Sequence, residues 1–204
     1  GPGFPLILIG LIALIMRMIE MFSAAYIKTN AVRVSETQLP QIYHIVKTCS
    51  ERLGFSPPAV YLLQQNLWNA VAMKLAGRRQ VVLLSGAVDS LLLKGDMKQL
   101  SFVIGHELGH HFPGHLDFWK RCTVGLGGWL PWFRLWYKRR AELTCDRVGL
   151  FCCGSLRSSL LALSNMTVGA QLAEQISIDE AVRQWENHRH EFFVRYRAIY
   201  SSHP

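Results

Sequence analysis

Residues 96–111 read DMKQLSFVIGHELGHH, and this stretch decides the predicted fold. Asp96 and Gln99 form the D-x-x-Q pattern of a capping box, which predicts that a helix begins after Asp96. Pro113 and Gly114 follow the stretch, and both residue types commonly end a helix. We therefore predict one helix over the quoted residues, with its histidines and glutamate near its C-terminal end.

Within this helix, His106-Glu107-Leu108-Gly109-His110 is an H-E-x-x-H motif. Four residues turn a helix by about 400°, so both imidazoles project from one face about 6 Å apart. This spacing lets both histidines bind one zinc ion, and Glu107 beside them can act as general base on a water that the metal activates. The competing interpretation is a pair of structural histidines whose nitrogens are satisfied by hydrogen bonds in the core.

A catalytic zinc site needs a third protein ligand and one open position. The spacing H-E-x-x-H-x-x-G-x-x-H would place a third histidine at position 116, which holds a leucine. His111 points about 100° away from the ligand face of the helix. Asp117 is a rival ligand, although it lies only a few residues beyond the predicted helix end. An acidic ligand from elsewhere in the chain is therefore expected.

Glu142 and Asp146 are the acidic pair with suitable spacing, because residues at i and i+4 share a helix face. One carboxylate could bind the metal while the other accepts the N–H of a ligand histidine and fixes its tautomer. The competing interpretation is a solvated acidic face beside Arg139, Arg140 and Arg147.

The two motifs together resemble a known family. HELGHHFPGH (residues 106–115), followed by RRAELTCDRVGL (residues 139–150), is similar to the HtpX-type and CAAX-prenyl-protease-type gluzincins, metallopeptidase family forty-eight. The family pattern is H-E-x-x-H and then E-x-x-x-D on a later helix. The resemblance implies a zincin-like fold with one zinc ion bound by His106, His110 and Glu142. It also implies Glu107 as the base and Asp146 as the partner of a ligand histidine.

The same resemblance points to residues that would contact substrate. Asn69, Ala70, Val71 and Ala72 look like the family's substrate-binding edge strand, to which a peptide would add as a further strand. An edge strand without a ligand is the competing interpretation. His203 resembles the histidine of a late S/T-H-P motif that helps to stabilise the oxyanion, but the arginine that usually follows that motif is not in this sequence.

The remaining pattern predicts an α+β class that is dominated by helices, with a small sheet before the active-site helix. A basic turn is expected at residues 77–79. The predicted helices cover residues 39–53, 136–153 and 177 to about 199, and the predicted strands cover Ala59–Leu63, Asn69–Leu75 and Val81–Leu84.

Composition and charge favour contact with a membrane. Of the 204 residues, 50% are hydrophobic and only 18% are charged, against about 25% charged in an average soluble domain. Phe4–Met16 is an uncharged run, and Trp119–Arg140 holds four of the six tryptophans between basic clusters. Tryptophans bracketed by cations suit a membrane–water interface, and the net charge of +8 suits anionic lipid. An aromatic cluster packed on a helix is the competing interpretation, and a nucleic-acid partner is not expected.

We divide the chain into an apolar N-terminal helix, residues 1–30, and a zinc metallopeptidase domain, residues 31–204. Residues 1–3 read as a remnant of tag cleavage. The helix is interpreted as a truncated membrane anchor, an interfacial helix or a helix buried in the core. Five cysteines without a C-x-x-C pair do not make a disulfide framework, which favours a reducing compartment and thus the cytoplasmic side of a membrane.

These observations predict a membrane-associated zinc endopeptidase that acts on a peptide, an unfolded protein or a membrane protein. The alternative from another class is a non-proteolytic binding or regulatory module that keeps zinc for structure. A latent enzyme, with its C-terminal segment over the cleft, is the third possibility.

Overall fold

The structure, a computed structural model, describes residues 3–64, 70–75, 78–84, 88, 91, 96–111, 131–169 and 172–191. The described part of the chain contains six α-helices and four short strands, which confirms the helix-dominated α+β class. The helices are α1 (Gly3–Asn30), α2 (Pro40–Arg52), α3 (Met97–His111), α4 (Pro131–Cys153), α5 (Leu156–Val168) and α6 (Ile178–His188). The strands are β1 (Ala31–Arg33), β2 (Ala59–Leu63), β3 (Ala70–Leu75) and β4 (Arg78–Leu84).

The four strands form one mixed sheet in the order β1-β2-β4-β3. β1 pairs with β2 and β3 pairs with β4 in antiparallel fashion, whereas β2 and β4 are parallel. Val71 lies opposite Val82 and Ala72 lies opposite Val81, so the register is fixed along the hairpin. Among the described strands β3 is an edge strand, as predicted, and it lies next to α3.

The core is built around α3. Phe102, Ile104 and Leu108 are essentially inaccessible to water, and they belong to one cluster with sheet residues and with α2. Ile42 and Val46 supply the buried face of α2, as the helical spacing predicted. A helix that is buried on nearly every side must satisfy its polar groups within the protein.

The start of α3 confirms the predicted cap. The backbone N–H of Gln99 donates to Asp96 Oδ1 at 3.0 Å, and the Gln99 side-chain amide donates to Asp96 Oδ2 at 2.7 Å. Asn165, on α5, in turn donates to Gln99 Oε1 at 2.5 Å. The N-terminal end of the buried helix is therefore fixed by its own cap and by a neighbouring helix.

Three predicted boundaries are wrong. α4 begins at Pro131 rather than at residue 136, because proline is well suited to the first turn of a helix. β4 begins at Arg78, so residues 78 and 79 pair with β3 instead of forming a turn. The last helix is capped by Ser177 as expected but ends at His188 rather than near residue 199, because it buries no side chain and reaches weak helix formers there.

Two elements lie outside the predicted set. β1 has only three residues, too few to show an alternating pattern. α5 carries a recognisable start signal, since Ser155 Oγ accepts a hydrogen bond from the backbone N–H of Ser158 at 3.3 Å.

The first helix, α1, is exposed along most of its length. Its 28 residues correspond to about 42 Å. Within it, Gly10–Asn30 is long and apolar enough to cross a membrane by length and composition, and only 6% of that window is buried. In the described part of the chain this exposure contradicts the interpretation of α1 as a core helix. Only its C-terminal end is anchored, where Ile27 packs against Tyr61 of the sheet.

Candidate metal centre

The site is built by two helices that pack closely against each other. The last two turns of α3 carry His106, Glu107 and His110, and α4 brings Glu142 and Asp146 to the same place. Residues 106 and 110 are one turn apart on α3, as are residues 142 and 146 on α4. The structure therefore brings together all five residues that the two motifs predict for the site on these helices.

Three of these side chains form a compact group of donor atoms. One nitrogen each of His106 and His110 and one carboxylate oxygen of Glu142 lie within 4.8 Å of one another. Glu142 Oε2 is 3.4 Å from His106 Nε2 and 3.8 Å from His110 Nε2. The two imidazole rings stand nearly perpendicular, with their centroids 5.3 Å apart.

These separations fit a tetrahedral metal ion. Ligands bound at about 2.0–2.2 Å in a tetrahedron stand about 3.4 Å from one another. Two imidazole nitrogens and one carboxylate oxygen are also a donor set that zinc takes in catalytic sites, where the fourth position stays open. The group of His106, His110 and Glu142 could therefore hold a metal ion without a large rearrangement.

Asp146 orients the first of these histidines. Its Oδ1 lies 2.9 Å from His106 Nδ1, a distance that matches a charge-assisted hydrogen bond. An ionised carboxylate can only accept, so Nδ1 donates and carries the proton. Nε2, which faces Glu142, is then the nitrogen that would bind a metal ion.

The two carboxylates also change the acidity of His106. Burial lowers the pKa of His106, but hydrogen bonding of its ring to Asp146 and Glu142 and the nearby charge of Glu107 raise the pKa to about 10. Without a metal ion the ring is therefore charged at neutral pH and compensates the surrounding carboxylates. A metal ion must displace this proton to bind, which makes its affinity dependent on pH.

Glu107 and Cys145 complete the surroundings of the ligand group. Glu107 is 4% exposed, so its carboxylate lies in a site that excludes most water. Burial and the charges of Glu142, Glu107 and Asp146 raise the pKa of the Cys145 thiol. The Cys145 side chain packs against Gly109 between the helices, and its sulfur is not in the ligand group.

The structure describes only some of the other residues that the sequence predicts for the site. Ala70, Val71 and Ala72 belong to β3, at the edge of the sheet beside α3. Asn69, Asp117 and His203 lie outside the described residues. His111 is buried at the end of α3 and is not in the ligand group, as its angle on the helix predicted.

Sequence reasoning missed the contacts that bring α3 and α4 so close together. Gly105 and Gly109 on α3 and Gly149 on α4 all lie where a side-chain carbon would collide with the other helix. Their signal was available, because the two glycines of α3 are four residues apart and so share one helix face.

Comparison with known proteins relates the chain to peptidases. Residues 36–121 match the model of Peptidase family M48, a span that includes H-E-x-x-H and ends before Glu142. The chloroplastic plastoglobule-localized metallopeptidase 48 of Arabidopsis thaliana is 25% identical over 169 residues, which are 76% of this chain and 48% of that protein. A protease HtpX homolog of Paraburkholderia phytofirmans is 35% identical over 81 residues, which are 40% of this chain and 27% of that protein.

A second protease HtpX homolog, from Streptococcus gordonii, is 30% identical over 103 residues, which are 50% of this chain and 34% of that protein. No solved structure matches the chain. The chain thus spans about half, or less, of the length of these relatives. The matched segment, residues 36–121, is thus similar to peptidase family M48, and the named relatives are similar to the chain over the shares given above.

Proposed function

We propose that this protein is a zinc-dependent endopeptidase with a gluzincin fold. The observation that carries the proposal is the group of His106, His110 and Glu142, whose donor atoms lie within 4.8 Å, with the buried Glu107 next to it. The names of the relatives, metallopeptidase and protease, support the same class. We further propose one zinc ion per chain.

The donor set argues for a catalytic rather than a structural role of the metal. Structural zinc sites usually have four protein ligands, most of them cysteines, whereas catalytic sites keep one position open. The described residues of this site supply three ligands, and the nearby Cys145 is not in the ligand group. A module that keeps zinc only for structure is therefore not favoured.

In the proposed reaction, a bound zinc ion supplies polarisation of the scissile carbonyl and lowers the pKa of the attacking water. Glu107 accepts the proton of that water and later delivers it to the leaving amine. Asp146 keeps the Nδ1 proton on His106, so that Nε2 remains a ligand throughout. The low exposure of Glu107 strengthens these charge interactions because little water competes with them.

We propose that the substrate polypeptide binds along β3, at residues 69–72. β3 is an edge strand of the described sheet and contacts α3, so an added strand would lie close to the helix that carries two of the metal ligands. Main-chain hydrogen bonds would fix the scissile bond without demanding one sequence, which suits an unfolded or membrane-protein substrate. His203 is proposed as an additional group that stabilises the oxyanion, on the basis of its motif alone.

We propose that the protein acts at a membrane, with its catalytic part on the cytoplasmic side. The exposed apolar surface of α1 supports the membrane contact. The cysteines that the structure describes, Cys49, Cys145, Cys152 and Cys153, are free and buried, which suits a reducing compartment.

The decisive experiment combines metal analysis with cleavage of an unfolded protein. Glu107→Ala is expected to keep about one zinc per chain and to lose about 100- to 10,000-fold in turnover, because it removes the general base but no ligand. Glu186→Ala, which changes an exposed glutamate on α6, is the matched control and should cleave normally. Turnover near the wild-type rate in Glu107→Ala would exclude the proposed mechanism.

A further inference from the structure

The two helices of the metal site touch at glycines, whose bare backbone on one helix meets backbone and side-chain atoms of the other. A methyl carbon added at Gly109 would stand 2.8 Å from Cys145 Cα and 3.2 Å from Cys145 Cβ and Sγ. One turn earlier, a methyl carbon at Gly105 would stand 2.6 Å from Cys152 Cβ and 3.0 Å from Gly149 Cα. Carbon atoms in ordinary contact are about 3.5–4.0 Å apart, so neither position has room for a side chain.

The close approach is reciprocal. Gly149 lies on α4, and a methyl carbon there would stand 2.9 Å from Phe102 O and 3.0 Å from two Phe102 ring carbons. We call Gly105, Gly109 and Gly149 the glycine seam. Packed helices are usually separated by about 8–10 Å according to the side chains between them, and glycines at the contact allow a close approach.

On α3 the glycine seam alternates with the ligands. Gly105 directly precedes His106, and Gly109 directly precedes His110. Adjacent residues on a helix are about 100° apart, so the two glycines face α4 while the histidines beside them face the ligand group. The part of α3 that approaches α4 most closely is therefore the part that carries both imidazoles.

On α4 the arrangement is the same. Cys145, which covers Gly109, lies between Glu142 and Asp146 in sequence, and Gly149 follows one turn later. The carboxylates that reach His106 thus flank the residue that contacts Gly109. Their reach to α3 depends directly on the distance between the two helix backbones.

We propose that the glycine seam positions the metal ligands, because it sets the α3–α4 distance at which Glu142 and Asp146 both reach His106. The inference rests on the proposed metal site. A side chain at either glycine of α3 would separate the helices by about 1 Å to relieve contacts of 2.6–2.8 Å. Metal–ligand distances tolerate only about 0.2 Å, so the ligand group would lose its tetrahedral arrangement.

The test measures metal binding by the full chain in detergent. Zinc affinity is obtained by competition with a chromogenic chelator, and Co²⁺ replaces zinc as a spectroscopic probe of coordination geometry. Gly109→Ala and Gly105→Ala are each expected to lower zinc affinity about 10- to 100-fold, as loss of an orienting group does. Their Co²⁺ complexes should show weaker visible absorption, because the coordination is no longer tetrahedral.

Two further variants separate positioning from mere stability. Gly10→Ala is the matched control, since a methyl group there meets nothing within 4 Å, and it should bind zinc like the wild type. Gly105→Ala/Cys152→Gly removes the Cβ and Sγ atoms that an alanine at 105 would meet at 2.6 and 3.0 Å. We expect this double variant to recover most of the zinc affinity, whatever its thermal stability, because only the 3.0 Å contact with Gly149 Cα remains.

Each outcome decides between the possibilities. Alanine variants that unfold more easily but bind zinc and Co²⁺ like the wild type would overturn the positioning role. If both single variants fail to fold, the double variant decides: wild-type affinity supports the role and lost affinity overturns it. A wild-type chain that binds no zinc would instead refute the proposed metal site, which distinguishes that failure from failure of this inference.

Discussion

The two apolar helices α1 and α3 differ in where their polar and apolar side chains lie. α3 is buried on nearly every side, yet it holds Gln99, His106 and Glu107 inside the protein. α1 carries large apolar side chains that are exposed from Ile7 to Tyr26. Buried polar groups are costly unless they are paired, and a helix that is apolar all round belongs in an apolar environment. The buried polar groups of α3 therefore fit a site built inside the protein, whereas the exposed apolar side chains of α1 fit an apolar environment outside it.

The largest expected effect is on zinc affinity, because the buried histidine of α3, His106, is paired with Glu142 and Asp146 of α4. Glu142→Ala is expected to lower zinc affinity by well over 100-fold, because it removes one of three ligands. Asp146→Ala should lower it by about 10- to 100-fold, because it removes only the hydrogen bond to His106. Competition with a chelator measures both values, with Asp179→Ala as an exposed control. Full zinc occupancy in Glu142→Ala would contradict the ligand assignment.

The next effect concerns α1, whose exposed apolar surface should bind lipid. The protein is expected to float with vesicles, and the double variant Ile12→Asp/Ile19→Asp should bind about 100-fold more weakly, because charges within an apolar helix oppose insertion. Anionic lipid should strengthen binding further, because basic residues in 119–140 would be attracted to it. High salt should reduce this additional binding, because dissolved ions screen the attraction between charges.

Leu156→Asp is the matched control for flotation, because Leu156 is an exposed apolar residue on another helix, α5. It should leave the protein on the vesicles. If the wild-type chain stays at the bottom of the gradient with neutral and with anionic vesicles, the exposed apolar surface of α1 does not bind lipid, and the proposed membrane contact is wrong.

A smaller effect is expected at β3, the strand that lies near both helices. Backbone N–H groups along a strand point alternately to its two edges, so Val71→Pro and Ala72→Pro remove donors from opposite edges. One of the two should disturb pairing with β4, and the other should keep the fold and zinc but raise KM about tenfold. Unchanged cleavage by a proline variant that still folds would show that the substrate binds elsewhere.

The smallest effect is the pH dependence of the metal-free protein. The pKa of His106 is raised above its ordinary value of 6.5 to about 10, so its stabilising contribution is complete below pH 6.5 and is lost as the pH rises through 10. We expect Tm of the metal-free protein to fall by up to about 3 °C per pH unit in this window. The zinc-loaded protein should show the opposite trend, because a ligand histidine must lose its proton.

Thermal unfolding with and without a chelator measures this difference. His188→Gln, which alters an exposed histidine on α6, should leave the slope of the metal-free protein unchanged. A metal-free protein whose Tm does not fall between pH 6.5 and 10 would contradict the charged state inferred for His106.

Much of the fold could be predicted from the sequence, because the capping residues and the spacing of apolar residues agree with the tertiary structure. The Asp96–Gln99 cap, the apolar spacing of α2 and the edge position of β3 are all confirmed. The boundaries that failed depend on context: α6 buries nothing and ends early, and β4 starts early because pairing with β3 continues to Arg78.

The candidate site divides in the same way. The spacing of His106 and His110 follows from helix geometry, so sequence could place both on one face. The choice between Glu142 and Asp146 as ligand could not be made from spacing, because either carboxylate fits an i, i+4 pair. The structure distinguishes them by distance, since Asp146 reaches Nδ1 of His106 and Glu142 reaches Nε2. The i, i+4 spacing of Gly105 and Gly109 is visible in the sequence, but the helix that these glycines contact depends on how two distant segments meet.

The direct passage from α1 into the sheet has a mechanical consequence. Asn30 ends the helix and Ala31 begins β1, so no flexible linker separates them, and Ile27 locks the junction against Tyr61. From Ile7 to Tyr26 the exposed apolar surface covers about 30 Å, close to the thickness of a hydrocarbon core. With α1 embedded in a bilayer as proposed, the rigid junction would fix the distance between the bilayer and the metal site. Only peptide bonds within one narrow height above the bilayer would then come within reach of the metal site.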